Sequence, residues 1–119
     1  MKKLLITVLV LFLVAAAAFA QQQRFRNGTL TATGTSYNAA TSGSDGTITV
    51  AVTFRSNRIT EIVVREYTDT SAFVNMVVRT MVPAIISAQG VNVDNVAGAT
   101  VTANGLKEAV AAAMAQARR

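Results

Sequence analysis

Thr47-Ile48-Thr49-Val50-Ala51-Val52-Thr53-Phe54 is followed, after Arg55-Ser56-Asn57-Arg58, by Ile59-Thr60-Glu61-Ile62-Val63-Val64-Arg65-Glu66. In the first run Ile48, Val50, Val52 and Phe54 alternate with Thr47, Thr49, Ala51 and Thr53, the period of a strand with one buried face and one small, polar face. The second run is rich in Ile and Val and returns as another strand. The polar connection is short enough for a hairpin, and Asn57 tolerates the left-handed backbone that such a turn demands. A β-hairpin over 47–66 is therefore the expected centre of the fold.

Upstream, Thr29 to Asn38 sets Leu30, Ala32 and Gly34 against Thr31, Thr33 and Thr35, which predicts a further strand. Asn38 to Gly46 collects Asn, Ser, Gly and Asp and reads as a turn. Downstream the period changes. Thr68-Asp69-Thr70-Ser71 offers N-caps, and Phe73, Val74, Val77, Val78, Met81 and Val82 recur at helical intervals. Pro83 limits that helix and suits the first turn of a second short one, Pro83 to Ala88, with Ile85 and Ile86 inward and Gly90 at its end; the other reading is one kinked helix. After the loop Val93 to Thr102, the positions Leu106, Ala109, Val110, Ala113, Met114 and Ala117 mark a last helix capped by Thr102 or Asn104. The expected fold class is α+β, a small antiparallel sheet of about three or more strands packed against two to three helices.

The loop before the last helix is chemically the most distinctive stretch. Asp94, Thr100 and Thr102 place one carboxylate and two hydroxyls among Ala97, Gly98 and Ala99. Small residues let a backbone approach a ligand closely, and a helix starting beyond Thr102 would aim unpaired N–H groups at an anion. The combination suggests a phosphate. Purely local roles remain open for the same residues: Gly98-Ala99 as a tight turn, Thr100 or Thr102 as a helix cap, Asp69 as the cap of the earlier helix.

The chain of 119 residues is 51% hydrophobic, a share raised by its start. Lys2 and Lys3, the apolar run Leu4 to Val14, and Ala18-Phe19-Ala20 ahead of Gln21 have the three parts of a secretory signal peptide over residues 1–20. The alternative is an uncleaved membrane anchor over residues 4–20, at the short limit of the roughly 17 to 25 residues that span a bilayer. No cysteine follows the run, which excludes attachment in the lipoprotein manner. Cleavage near Ala20 would deliver an extracytoplasmic protein, secreted or periplasmic, in which 21–28 is a polar linker and 29–119 the folded domain.

Beyond residue 20 the charge is modest, with nine basic and six acidic side chains. The basic residues are scattered or terminal, and without tryptophan they form no aromatic-basic face for nucleic acid. The absence of cysteine and histidine removes disulfides, thiol nucleophiles, iron–sulfur ligands and the usual general base of a hydrolase. Asp45, Glu61, Glu66, Asp69, Asp94 and Glu108 lack dense metal-ligand spacing, although folding could still pair two of them. Redox chemistry would require a borrowed cofactor.

The run Asp94-Asn95-Val96-Ala97-Gly98-Ala99-Thr100, continued by Val101-Thr102-Ala103-Asn104-Gly105-Leu106-Lys107-Glu108-Ala109-Val110, resembles the signature of the small FMN-binding domain. That family occurs in subunits of the sodium-translocating NADH:quinone reductase and the Rnf electron-transport complex, and in extracytoplasmic flavin-containing reductases. Asp45 to Val50 with Ile59 to Val64 is similar to the family's hairpin, and Ile85-Ile86-Ser87-Ala88-Gln89 to the short helix before its motif. The resemblance covers about Gly28 to Ala117.

The resemblance implies FMN as cofactor and Thr100 as the residue joined to it through a phosphoester, made by an FAD:protein FMN transferase. It further implies that Gly98 and Ala99 leave room for transferase and flavin, that Asp94 serves recognition, and that Thr102 and the start of the last helix lie at the phosphate. Asp69 and Thr70 correspond to the family's Glu-Thr beside the flavin; Ser71-Ala72 stand where the family often has Pro-Gly, and Ala97 where it usually has Ser or Thr. The function so implied is that of an extracytoplasmic electron-transfer module with unidentified donor and acceptor proteins, no nucleic-acid partner and a possible association with the membrane. An exported, non-redox interaction module of the same fold is the other reading.

Overall fold

A computed structural model describes residues 24–119. The expected signal peptide or anchor, and the first three residues of the expected linker, lie outside the described residues. The chain runs β1 (Gly28–Asn38), β2 (Gly43–Arg55), β3 (Arg58–Tyr67), α1 (Ser71–Ala88) and α2 (Thr100–Ala117). The strands form one antiparallel sheet in the order β1-β2-β3, so the expected α+β class holds, with three strands and two helices.

The hairpin forms as its alternation predicts. Ile48, Val50, Val52 and Phe54 are all fully buried, and Val52 stands between Leu30 of β1 and Ile62 of β3. The connection is a two-residue turn in which Ser56 and Asn57 have φ of 52° and 65°, the double left-handed geometry that matches the twist of the flanking strands. The turn from Asn38 is shorter than expected, because Gly43 to Gly46 join β2. On the outward face, Thr29 and Thr33 share hydroxyl hydrogen bonds of 2.9 and 2.8 Å with Thr53 and Thr49.

The other face carries α2. Ala103, Leu106, Ala109, Val110, Ala113 and Ala117 are fully buried along it, as its apolar spacing predicts. Two glycines set how near the helix lies. A methyl group on Gly34 of β1 would overlap the Gly105 carbonyl oxygen, and one on Gly105 would stand 2.6 Å from the carbonyl oxygen of Thr35. Helix backbone thus rests on strand backbone.

Ser71–Ala88 is one helix with Pro83 inside it, which decides between the two expected arrangements. Proline removes an N–H and leaves the carbonyl four residues earlier without its partner; here Pro83 and Arg79 are both exposed, so the loss falls on the wet face. Val74, Val77, Met81 and Ile85 form the inner stripe. Phe73, expected among them, is 37% exposed. The left-handed end of the helix is Gln89 (φ 56°), one residue before the expected Gly90. Gln89 tolerates this because its side chain is held: Oε1 accepts from Ile59 N at 2.7 Å, and Nε2 donates to the carbonyls of Ile59 and Ile86 at 3.0 and 2.6 Å.

Phe25 lies in the stretch read as a spacer, yet it is 2% exposed and its ring centroid is 4.8 Å from that of Phe54. Its N–H donates to Asn57 Oδ1 at 2.6 Å, and Arg26 N donates to Ala117 O at 2.8 Å. The start of the described chain therefore belongs to the core, and one phenylalanine among polar residues is the signal for it.

Gly34→Ala is expected to lower folding stability by about 3 kcal/mol, because overpacking here meets backbone that cannot step aside. Urea unfolding followed by far-UV circular dichroism checks this; a loss below about 1 kcal/mol would show that α2 can move away from β1.

Candidate functional site

The loop and the start of α2 come together with β1 and α1 around a cavity of about 340 Å³, lined by Tyr37, Phe73, Gly98, Ala99, Thr100, Val101 and Thr102. Helix α2 starts at Thr100, three residues earlier than a Thr102 cap would allow. Gly98 has φ of +84°, and a methyl on it would meet nothing within 4 Å. Its need for glycine is therefore conformational. Ala99 occupies the cap position, is 4% exposed and packs with the core.

An alanine at this position cannot accept a hydrogen bond from the first-turn N–H groups, and α2 has no side-chain cap. A Ser or Asp cap is typically worth about 1 kcal/mol of helix stability. The chain forgoes it, and the N–H groups of the first turn, which no intrahelical carbonyl satisfies, stay available beside the cavity. That end of a helix attracts an anion through both hydrogen bonds and dipole. Thr100, at the first helical position, is exposed, with Phe73 and Val101 (37% and 40% exposed) providing apolar surface beside it.

Thr102 also lines the cavity but turns its hydroxyl inward. Thr102 Oγ1 donates to Asp69 Oδ2 at 2.6 Å, the same oxygen accepts from Ser36 Oγ at 2.7 Å, and Asp69 Oδ1 accepts from Thr70 N at 2.6 Å. Ser36, Asp69 and Thr102 are 0%, 6% and 2% exposed. One buried carboxylate thus joins the end of β1, the residue before α1 and the first turn of α2, with both oxygens supplied with donors as burial requires.

The proposed site residues therefore separate into two groups. Thr100, Gly98, Ala99 and Thr102 share the cavity wall, whereas Asp69 and Thr70 lie behind it and reach it through Thr102. Asp94 is exposed and is not part of this wall; its neighbour Asn95 ties the loop to α2 through Asn104 Oδ1 at 3.0 Å. Sequence reasoning missed Tyr37 and Phe73. Tyr37 falls at a register shift between Ser36 and Asn38, where strand alternation stops predicting direction. Phe73 sits in the first turn of an apolar helix, and an aromatic one step off the inner stripe was its only signal.

Residues 43–115 match the model of the FMN-binding domain family, more than half of the chain. The chain belongs to the FMN-binding domain family. No individual curated protein matches it closely enough for comparison. FMN is the cofactor, and the cavity's chemistry fits such a group: its apolar and aromatic side chains could face an isoalloxazine, and its uncapped helix start with an adjoining hydroxyl could take a phosphate. No cluster of three metal-ligating side chains occurs among the described residues.

Asp69→Ala leaves the buried hydroxyls of Ser36 and Thr102 without their acceptor and is expected to cost about 3 kcal/mol, with Asp69→Asn losing about half as much because one oxygen remains. Thermal unfolding of the two variants checks the order. Equal and small losses would mean that water replaces the carboxylate.

Proposed function

We propose that this chain is an exported FMN-carrying protein that serves as an electron-transfer module between extracytoplasmic partners, with its FMN held by a phosphoester on Thr100. The observation that carries the reading is the start of α2, an uncapped helix whose first residue is an exposed threonine at the wall of an apolar cavity.

Thr100 Oγ1 acts as the nucleophile of attachment. Its oxygen bonds to the phosphorus on the FMN side of FAD, its proton passes to a base of the FAD:protein FMN transferase, and AMP leaves; magnesium and the transferase provide activation. Exposure at the helix start makes Thr100 accessible to a second protein, whereas the Thr102 hydroxyl is enclosed and already donated to Asp69. The first-turn N–H groups of α2 would hold the phosphate, and Phe73, Tyr37 and Val101 would shelter the apolar surface of the bound group from water. When bound, the isoalloxazine supplies one- and two-electron chemistry. The chain contributes position and electrostatics, having neither cysteine nor histidine for redox or proton work of its own.

The basic head, apolar run and Ala18-Phe19-Ala20 support export with cleavage near Ala20, or anchoring through residues 4–20. The redox donor and acceptor are then proteins of the same compartment or of the membrane itself.

Co-expression with the transferase should yield yellow protein whose fluorescence persists on a denaturing gel. Thr100→Ala is expected to abolish the fluorescent band, and Thr102→Val to retain it. A band that survives in Thr100→Ala would reject this acceptor; colour lost on denaturation of the parent protein would reject the ester, and a colourless product the flavin loading.

A further inference from the structure

The nine basic residues beyond residue 20 look scattered in sequence, but the fold gathers six of them. Arg24 and Arg26 precede β1, Arg55 and Arg58 flank the β2–β3 turn, and Arg118 and Arg119 follow α2. Backbone pairing and two asparagine side chains bring these three segments to one end of the domain. Phe25 bridges Arg118, Arg119 N donates to Arg24 O at 3.1 Å, Phe25 N donates to Asn57 Oδ1, and Ser56 N donates to Asn27 Oδ1 at 3.1 Å. All six arginines are exposed. A second, polar cavity of about 360 Å³ opens among them, lined by Arg24, Phe25, Asn27, Ser56, Asn57 and Arg119.

Little acidic charge opposes this cluster. Glu61, in register with Thr53, is the acidic residue on the strand segments that approach it. Asp45 lies at the start of β2, Glu66 near the far end of β3, Asp69 before α1, Asp94 in the loop, and Glu108 bonds Thr35 N from the middle of α2. The flavin cavity adjoins the first turn of α2 and the arginines its last, about 27 Å apart along an 18-residue helix. The two ends of the molecule are chemically distinct.

We propose that this arginine pole is a docking surface for the anionic phospholipid headgroups of a membrane. Two features favour a lipid surface over a single small anion, and guanidinium chemistry suits phosphate of either kind. The six arginines are spread over three chain segments, with Arg24 and Arg119 at an open cavity between them, which suits many phosphates in a plane. Guanidinium groups bind phosphate oxygens in pairs and keep their charge at every physiological pH. Arg24, the first described residue, lies at this pole, so an anchor over residues 4–20, where it is retained, would lead into the domain here. Docked so, the flavin cavity faces away from the lipid.

Vesicle co-sedimentation of the protein as recovered from cells tests the proposal, with equimolar phosphatidylglycerol and phosphatidylcholine in one arm and phosphatidylcholine alone in the other. Any apolar contribution of the segment 4–20 appears in both arms, so the excess on anionic vesicles reads the electrostatic part, which the two charge variants assign to the pole or away from it. That excess should fall steeply with salt. The Arg55→Gln/Arg58→Gln/Arg119→Gln variant should lose on the order of 100-fold in anionic partitioning, while Arg65→Gln/Arg79→Gln/Lys107→Gln, of the same net charge, should lose much less. Equal partitioning on the two vesicle types, or equal losses in the two variants, overturns the proposal. So does displacement by inorganic phosphate at constant ionic strength, which would identify a small-anion site instead.

Discussion

The Asp69 carboxylate is the constraint on which the site depends. Its two oxygens take three donors, and each comes from a different place: Ser36 at the end of β1, Thr70 at the cap of α1, Thr102 inside the first turn of α2. A buried carboxylate tolerates burial only when its oxygens are supplied with donors, so the three segments cannot separate without exposing an unmet charge. The position of Thr100, two residues from Thr102, follows from that bond. In the fold Asp69 fastens three segments behind the cavity wall.

The second constraint is steric. Gly34 and Gly105 let α2 lie on β1 with backbone against backbone, and the alanine stripe of α2 keeps the rest of the contact shallow. Larger residues would lift the helix and carry the start of α2 away from Tyr37 and Phe73, which form the other walls of the cavity. Close packing along the helix and the shape of the site at its end are one geometric condition.

Much of this was legible in the residues. The alternation from Thr47 to Phe54 and the spacing from Leu106 to Ala117 are strong, repetitive signals of burial on one side, and both elements form over those residues, each beginning a few residues earlier than indicated. The Gly-Ala-Thr stretch before the last helix marked the family, and residues 43–115 match it. What remained illegible depends on contacts between distant segments. Nothing local distinguishes a capping Asp69 from one that accepts Ser36 and Thr102 across 33 positions. Gln89 adopts a backbone that favours glycine only because Ile59, 30 positions away, holds its side chain. Phe25 seemed part of a spacer because its partner Phe54 belongs to another strand.

The alanine at the start of α2 has one more consequence, which concerns the lifetime of the chain. A helix whose first-turn donors await an outside acceptor is less stable alone than one carrying its own cap, and a ligand that binds only the folded form raises the free energy of unfolding. Proteases act on the opened chain, so their access falls as that free energy rises. An anion bound at this uncapped helix start would therefore couple cofactor loading to folding stability and to resistance to proteolysis.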